Sequence, residues 1–154
     1  MLRADVVEGF QKAGIPRRYK AGEPVVLANE PSTGMYLILK GEVRVIIRDA
    51  QGQEITVATM HAGQTMGEIS LLLDQPHSAT VIAQTEVEAL LLTQSRLRDL
   101  READPQLAMQ LYEILAFTLA SHIMDQNRTL AGLRRELDLV QKRLDERKEV
   151  FSYF

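Results

Sequence analysis

The chain of 154 residues contains no cysteine and no tryptophan, and it has three histidines. Without cysteine it can form no disulfide, thiolate zinc site or iron–sulfur cluster, and it offers no cysteine nucleophile. The histidines, His61, His77 and His122, are 16 and 45 residues apart, so no pair has the H-x-H or H-x-x-x-H spacing of a metal site. We therefore expect no metal and no resident cofactor.

An excess of positive charge and a long apolar run are also missing. Eighteen Lys and Arg oppose 21 Asp and Glu, for a net charge of −3 and a pI near 5.6, whereas a nucleic-acid-binding domain usually has a pI above about 9. The longest apolar, uncharged helical run, Ile114–Met124, has 11 residues, and a membrane span needs ~20. We expect a cytoplasmic protein with no membrane span, no secretory signal and no DNA binding.

Motifs of the common enzyme classes are absent as well. There is no G-x-S-x-G nucleophile elbow, no Walker A loop and no kinase triad. A metal-dependent enzyme of the cupin type would need clustered histidines, which the spacing above excludes. The sequence therefore predicts a protein that is not an enzyme.

The hydrophobic pattern divides the chain into β and helical parts, and we predict a mainly β fold with helices. The expected organisation is a domain over 1–104, with a helix at 1–16, a β-roll at 17–94 and a short helix at 95–103, followed by a long helix at 105–150. Short strands separated by Gly- and Pro-containing turns favour an antiparallel sandwich, jelly roll or small barrel. The predicted strands are Val25–Ala28, Met35–Leu39, Glu42–Arg48, Glu54–Met60, Ala79–Ala83 and Glu86–Thr93.

Helix boundaries follow from capping residues. Gly14 and Pro16 are expected to end the first helix. Ser95 is expected to cap the short helix. Asp104 is expected to cap the long one, with Pro105 at its first position, where the missing N–H costs nothing.

The long helix carries a heptad repeat. Its a positions are Ala116, Ile123, Leu130, Leu137, Leu144 and Phe151, and its d positions are Leu119, Gln126, Leu133 and Val140. A 3.5-residue repeat over four heptads predicts a coiled-coil seam, and we expect a homodimer through residues 116–151. In a parallel pair Arg143 and Lys148 would repel each other across the chains, which leaves the orientation at the C-terminal end open. The aromatic tail 151–154 either continues this seam or docks a partner.

The segment Met66–Val81, MGEISLLLDQPHSATV, has the most informative composition. Gly67 permits a close backbone approach, and Glu68 starts a helical turn whose first amides favour an anion. Ser78 adds a hydroxyl donor before the next strand. By themselves these features fit either an anion site beside a carboxylate that accepts from a sugar hydroxyl, or a hairpin with a helical insert.

This segment resembles the phosphate-binding cassette of the cyclic nucleotide-binding domain family, whose pattern is roughly FGE-[LI]-[AGS]-L and then PR-[SAT]-A-T-V. KAGEPVV (Lys20–Val26) and YLILKGEVRV (Tyr36–Val45) are similar to two further motifs of that family. The resemblance implies a β jelly roll with a short N-terminal helix, and a regulatory protein that senses cyclic AMP or cyclic GMP and relays the signal through its dimeric helix. The cassette positions that match are Gly67, Glu68, Ile69, Ser70, Leu71, Pro76, Ser78, Ala79, Thr80 and Val81.

The resemblance also implies site roles. Glu68 would hold the ribose 2′-hydroxyl, Gly67 and the Ser70 amide would line the phosphate, and Ser78 would bind the phosphate from the strand side. The long helix would close over the base near His122 and Ile123, which fit a dimer core equally well. The ligand-binding residues implied are Gly67, Glu68, Ile69, Ser70, His77, Ser78, Ala79 and His122.

His77 departs from the family pattern, which has arginine there. Arginine is always charged, whereas histidine with a pKa near 6.5 is mostly neutral at pH 7. Losing a charge-assisted hydrogen bond of about 1.5–3 kcal/mol lowers affinity roughly 10- to 100-fold. We expect either weak binding that tightens between pH 8 and pH 6, or a ligand-free module. The module would serve dimerisation or regulate a transporter, since Asn127–Leu130 resembles a stretch at the C-termini of sulfate-type anion transporters.

Overall fold

The computed structural model describes residues 4–151, apart from the side chains of residues 5 and 147–151. Within this range it has eight strands and four helices. In chain order the elements are α1 (Ala4–Ala13), β1 (Ile15–Tyr19), β2 (Pro24–Val26), β3 (Met35–Lys40), β4 (Glu42–Arg48), β5 (Glu54–His61), β6 (Thr65–Met66), α2 (Glu68–Leu73), β7 (Thr80–Ala83), β8 (Val87–Leu92), α3 (Gln94–Ala103) and α4 (Pro105–Phe151).

The strands form two four-stranded antiparallel sheets, in the orders β1-β8-β3-β6 and β2-β7-β4-β5. The predicted antiparallel roll with a short first helix and a long last helix is confirmed. Two of its strands are not among those predicted. β1 pairs with β8 at the sheet edge and is mostly exposed, and β6 has only two residues, so neither carries the alternating apolar pattern of a strand.

Strand β8 lies between two apolar cores. Leu90 and Leu92 pack with helical residues of the first core, whereas Val87, Ala89 and Leu91 pack in the second core between the sheets. Both faces of β8 are therefore covered, which explains its nearly continuous apolar sequence. The first sheet lies between the helices and the second sheet, and it supports the segment that follows β6.

The capping predictions have mixed outcomes. The Asp104 carboxylate accepts from the Leu107 amide at 3.1 Å, and α4 begins at Pro105, as predicted. The prediction of Ser95 as the cap of α3 is wrong, because the helix starts one residue earlier and Thr93 Oγ1 accepts from the Arg96 amide at 3.1 Å. Helix α1 ends at Ala13, before Gly14.

The chain divides into two compact units, residues 1–118 and residues 119–154. In the first unit α4 buries Leu107, Leu111 and Leu115 in the first core. In the second unit Leu119 of the predicted seam is half-buried, and the larger aliphatic seam residues after it are exposed to solvent. These residues are Ile123, Leu130, Leu133, Leu137, Val140 and Leu144.

Helix α4 is also more apolar than the run of 11 residues suggested. One 18-residue window within Pro105–Glu146 has a mean hydropathy of 1.3, so the helix is long and apolar enough to cross a membrane by length and composition. This is weak support for a span, because the core helix of a soluble protein passes the same test. The expectation of no membrane span stays a prediction.

Candidate functional site

The predicted cassette begins at a left-handed glycine. Gly67 has φ 87°, directly after β6 and before α2. A Cβ at this position would lie 2.4 Å from the carbonyl oxygen of Gly34. Glycine is thus required here by backbone conformation and by the packing of the 29–34 loop, before any ligand is considered.

Glu68 is a buried carboxylate. It is 5% exposed, and its Oε1 accepts a hydrogen bond from Thr65 Oγ1 at 2.5 Å. An ionised carboxylate only accepts hydrogen bonds, at about four positions, so its partners are donors such as the Thr65 hydroxyl. The sequence gives no clear signal for Thr65 as the partner of Glu68, because Gly67 and not Thr65 is the N-cap of α2.

The first turn of α2 presents backbone amides. The earliest bond of helical spacing runs from the Leu71 amide to the Gly67 carbonyl at 2.9 Å. The amides of Ile69 and Ser70 precede it and have no carbonyl partner four residues back within the helix. The Ser70 side chain is buried, whereas that of Ile69 is exposed. This turn supplies donors of the kind that an anion requires.

His77 is buried and faces the 29–34 loop. Its side chain is 5% exposed. Its Nε2 accepts from the Thr33 amide at 3.3 Å and lies 3.2 Å from Thr33 Oγ1. Its backbone is tied to the same loop, because its carbonyl accepts from the Asn29 amide at 2.9 Å and its amide donates to the Glu30 carbonyl at 3.3 Å.

Burial lowers the pKa of His77 below its usual 6.5. The cause is desolvation, which disfavours the charged imidazolium. A lower pKa opposes the gain of charge that we expected His77 to show between pH 8 and pH 6. At the position of the family's arginine, the free protein holds a neutral side chain.

Two tyrosines continue the contact between His77 and Thr33. Tyr36 donates its hydroxyl proton to Thr33 Oγ1 at 3.1 Å. Burial, together with a hydrogen bond to Tyr36, raises the pKa of Tyr19 well above its usual range. Thr33 and Tyr36 have no sequence signal as partners of His77, because 44 and 41 residues separate them from it and only the fold brings them together.

Ser78 and Ala79 follow His77 on the way into β7. Ser78 is exposed and Ala79 is half-buried. Ser78 lines a cavity of about 710 Å³ whose walls include Leu27, Ile46 and Ile82. Gly67, Glu68 and His77 are not among the residues lining that cavity.

His122 and Ile123 belong to the second unit, whereas the cassette belongs to the first. His122 is half-buried and Ile123 is exposed. Their role over a base stays a prediction. Among residues 4–146, no group of three or more His, Asp or Glu side chains is arranged to hold a metal ion.

Similarity to known proteins extends over most of the chain. Residues 16–104 match the family model described as Cyclic nucleotide-binding domain. The potassium channel AKT2 of Oryza sativa subsp. japonica is 34% identical over 84 residues, which are 54% of this chain and 10% of the channel. The cAMP-activated global transcriptional regulator Vfr of Pseudomonas aeruginosa is 28% identical over 116 residues, which are 73% of this chain and 50% of Vfr.

Among solved structures, the catabolite activator protein of Thermus thermophilus is similar with a TM-score of 0.63 and 28% identity, over 82% of this chain and 59% of that one. The chain thus spans half or less of the two curated relatives. What it shares with them is one domain.

Proposed function

The chain belongs to the cyclic nucleotide-binding domain family, and on that premise we propose that it is a non-catalytic, cytoplasmic regulator whose cassette binds cyclic AMP or cyclic GMP. The observation that carries the proposal is the buried carboxylate of Glu68, held by Thr65 directly after the left-handed Gly67. A carboxylate kept out of water accepts hydrogen bonds more strongly than an exposed one, which suits a ribose hydroxyl. Similarity to a regulator named for its activation by cAMP supports the same ligand class.

The phosphate in this proposal is held without a cation at position 77. The donors are the amides at the start of α2 and the hydroxyl of Ser78, which is exposed and therefore accessible. The phosphate is itself charged, so each of these bonds is charge-assisted, but none adds the cation–anion attraction and the second parallel bond that an arginine offers. The affinity should therefore be lower than in family members that keep the arginine.

We further propose that two copies pair through residues 116–151 and that ligand binding shifts this pairing. Exposure of the seam residues in the second unit supports it, since coiled-coil residues need a partner helix. The repeat also starts one heptad earlier than predicted. Met109 and Tyr112 occupy the preceding a and d positions, and both are exposed in the first unit.

The test is titration calorimetry of the full chain with cyclic AMP and with cyclic GMP. We expect saturable one-site binding that Glu68→Gln weakens at least about tenfold, the loss expected for a charged hydrogen bond. The matched control is Glu102→Gln, an exposed glutamate of α3, which should leave affinity unchanged. Absence of heat with both nucleotides, together with no nucleotide in the mass spectrum of the native protein, would exclude the proposal.

A second candidate function is a ligand-free pairing or interaction module, including an accessory regulator of a transporter. It is favoured by one observation, which is that His77 is buried and bonded to Thr33. Under this alternative the protein pairs through α4 in the same way whether nucleotide is present or absent. Sedimentation of the full chain with and without cyclic AMP separates the two candidates.

A further inference from the structure

The hydrogen bonds of His77 determine which of its ring nitrogens carries the proton. Nε2 of His77 accepts a hydrogen bond from a backbone amide, that of Thr33. A backbone N–H can only donate, so Nε2 presents its lone pair. A proton on Nε2 would set two N–H donors against each other at 3.3 Å. In the neutral ring the single proton must then be on Nδ1.

Tyr36 reinforces this arrangement through Thr33. Its hydroxyl donates to Thr33 Oγ1, which is itself 3.2 Å from Nε2. Because Oγ1 already accepts from Tyr36, its own proton is available to Nε2. Two donors from one residue thus converge on a single imidazole nitrogen.

Among the described residues, no charged side chain forms a hydrogen bond with the His77 ring. The side chains that meet it through hydrogen bonds are the hydroxyls of Thr33 and Tyr36, with Tyr19 behind Tyr36. Glu30 contacts His77 through its backbone carbonyl and has an exposed side chain. Within the described residues Nδ1 has no hydrogen-bond partner, so its N–H is left for water or a ligand.

We propose that Thr33 and Tyr36 are positioning residues that hold His77 as a neutral imidazole with its proton on Nδ1, so that the cassette offers its ligand an uncharged N–H donor in place of a cation. The consequence for the ligand, which rests on the proposed function, is that the phosphate is recognised through neutral donors at this position. Affinity should then depend little on ionic strength, because screening acts on charge pairs. The ring should also take up a second proton only at a lower pH than an exposed histidine does.

The protonation is tested without nucleotide, on the full chain labelled with ¹⁵N-histidine. His77→Gln assigns the His77 resonances by their loss. At pH 7 we expect a protonated Nδ1 and an unprotonated Nε2 in correlation spectra. A proton on Nε2, or a doubly protonated ring, would overturn the proposal.

The positioning role is tested by Tyr36→Phe, with Tyr112→Phe on an exposed face of α4 as the control. We expect Tyr36→Phe to shift the Nε2 resonance of His77, because Thr33 Oγ1 loses the donor that leaves its own proton for Nε2, while the Thr33 amide keeps the ring proton on Nδ1. The control should leave the resonance unchanged. An unchanged spectrum in Tyr36→Phe would contradict the role of the tyrosine. A merely structural role would lower stability without moving this resonance.

The consequence for the ligand is tested by measuring cyclic AMP affinity in 50 and 500 mM NaCl. We expect the wild type to change by less than about twofold, and His77→Arg to bind at least about tenfold tighter at low salt and to lose several-fold at high salt. If the wild-type affinity for cyclic AMP falls as steeply with salt as that of His77→Arg, recognition of the phosphate through neutral donors would be wrong. If the wild type binds no nucleotide, the proposed function fails, and the nitrogen spectra still decide the protonation of His77.

Discussion

Thr65 donates its hydroxyl proton to the carboxylate of Glu68 at 2.5 Å, and both side chains are buried. The pair is formed by residues three positions apart, on either side of Gly67. Its geometry therefore depends on the tight turn from β6 into α2. Local structure therefore fixes the position of the Glu68 carboxylate before any ligand binds.

Replacing Thr65 by valine should destabilise the fold. The change removes a donor from a buried carboxylate, which costs about 1–3 kcal/mol. Urea unfolding of Thr65→Val measures the loss. Thr59→Val, on the exposed strand β5, is the control and should change the free energy of unfolding by less than about 0.5 kcal/mol. Equal losses in both variants would contradict the pairing of Thr65 with Glu68.

Replacing Gly67 by alanine should cost more than replacing a glycine of similar conformation elsewhere. Gly52 has φ 78° and open space around its Cβ position, whereas a Cβ on Gly67 would meet the Gly34 carbonyl at 2.4 Å. Gly52→Ala carries the backbone strain alone, about 1–3 kcal/mol, and Gly67→Ala adds a clash with backbone. The midpoints of denaturant unfolding should fall in the order wild type, Gly52→Ala, Gly67→Ala. The reverse order of the two variants would show that the close approach is absent in solution.

Stability should decrease in mild acid because of His77. Its folded pKa is lowered by burial, so the unfolded chain binds a proton more readily than the folded one. The contribution is complete above pH about 6.5 and is lost as the pH falls through the lower folded pKa. The free energy of unfolding between pH 7 and pH 5 should therefore fall more steeply for the wild type than for His77→Gln. Parallel slopes in the wild type and in His77→Gln would exclude a buried neutral His77.

A charged substitution in the predicted seam tests whether two copies pair through α4. Leu137 occupies an a position, whereas Leu139 is comparably exposed and lies off the a and d positions. A buried unpaired carboxylate is strongly unfavourable, so Leu137→Asp should shift sedimentation from dimer to monomer at micromolar concentration. Leu139→Asp should remain dimeric. A wild type that sediments as a monomer would exclude the homodimer.

The turn at Gly67 and the helix start at Glu68 could be predicted from sequence because their residues are close along the chain. Gly67, Glu68 and Ser70 lie within four positions, and the turn that unites them has a local signature. The helix start at Asp104 and Pro105 was predictable for the same reason. Both depend on short-range backbone chemistry.

The environment of His77 could not be predicted, because it is formed by a loop 44 residues earlier in the chain. A histidine at an arginine position suggested a group that gains charge in acid. The fold instead surrounds it with Thr33 and Tyr36 and removes it from water. Strand β1 was missed for a related reason, since an exposed edge strand is defined by its partner β8 more than by its own residues.

The 29–34 loop touches the cassette at both ends, at Gly67 through the Gly34 carbonyl and at His77 through Asn29 and Glu30. Segments joined at two points tend to open as one cooperative unit. A single protease cut in this loop would therefore loosen the whole binding segment at once, although it would sever no residue that touches the ligand in our proposal. The rate at which a protease cuts the 29–34 loop would then report whether a ligand is bound at the cassette.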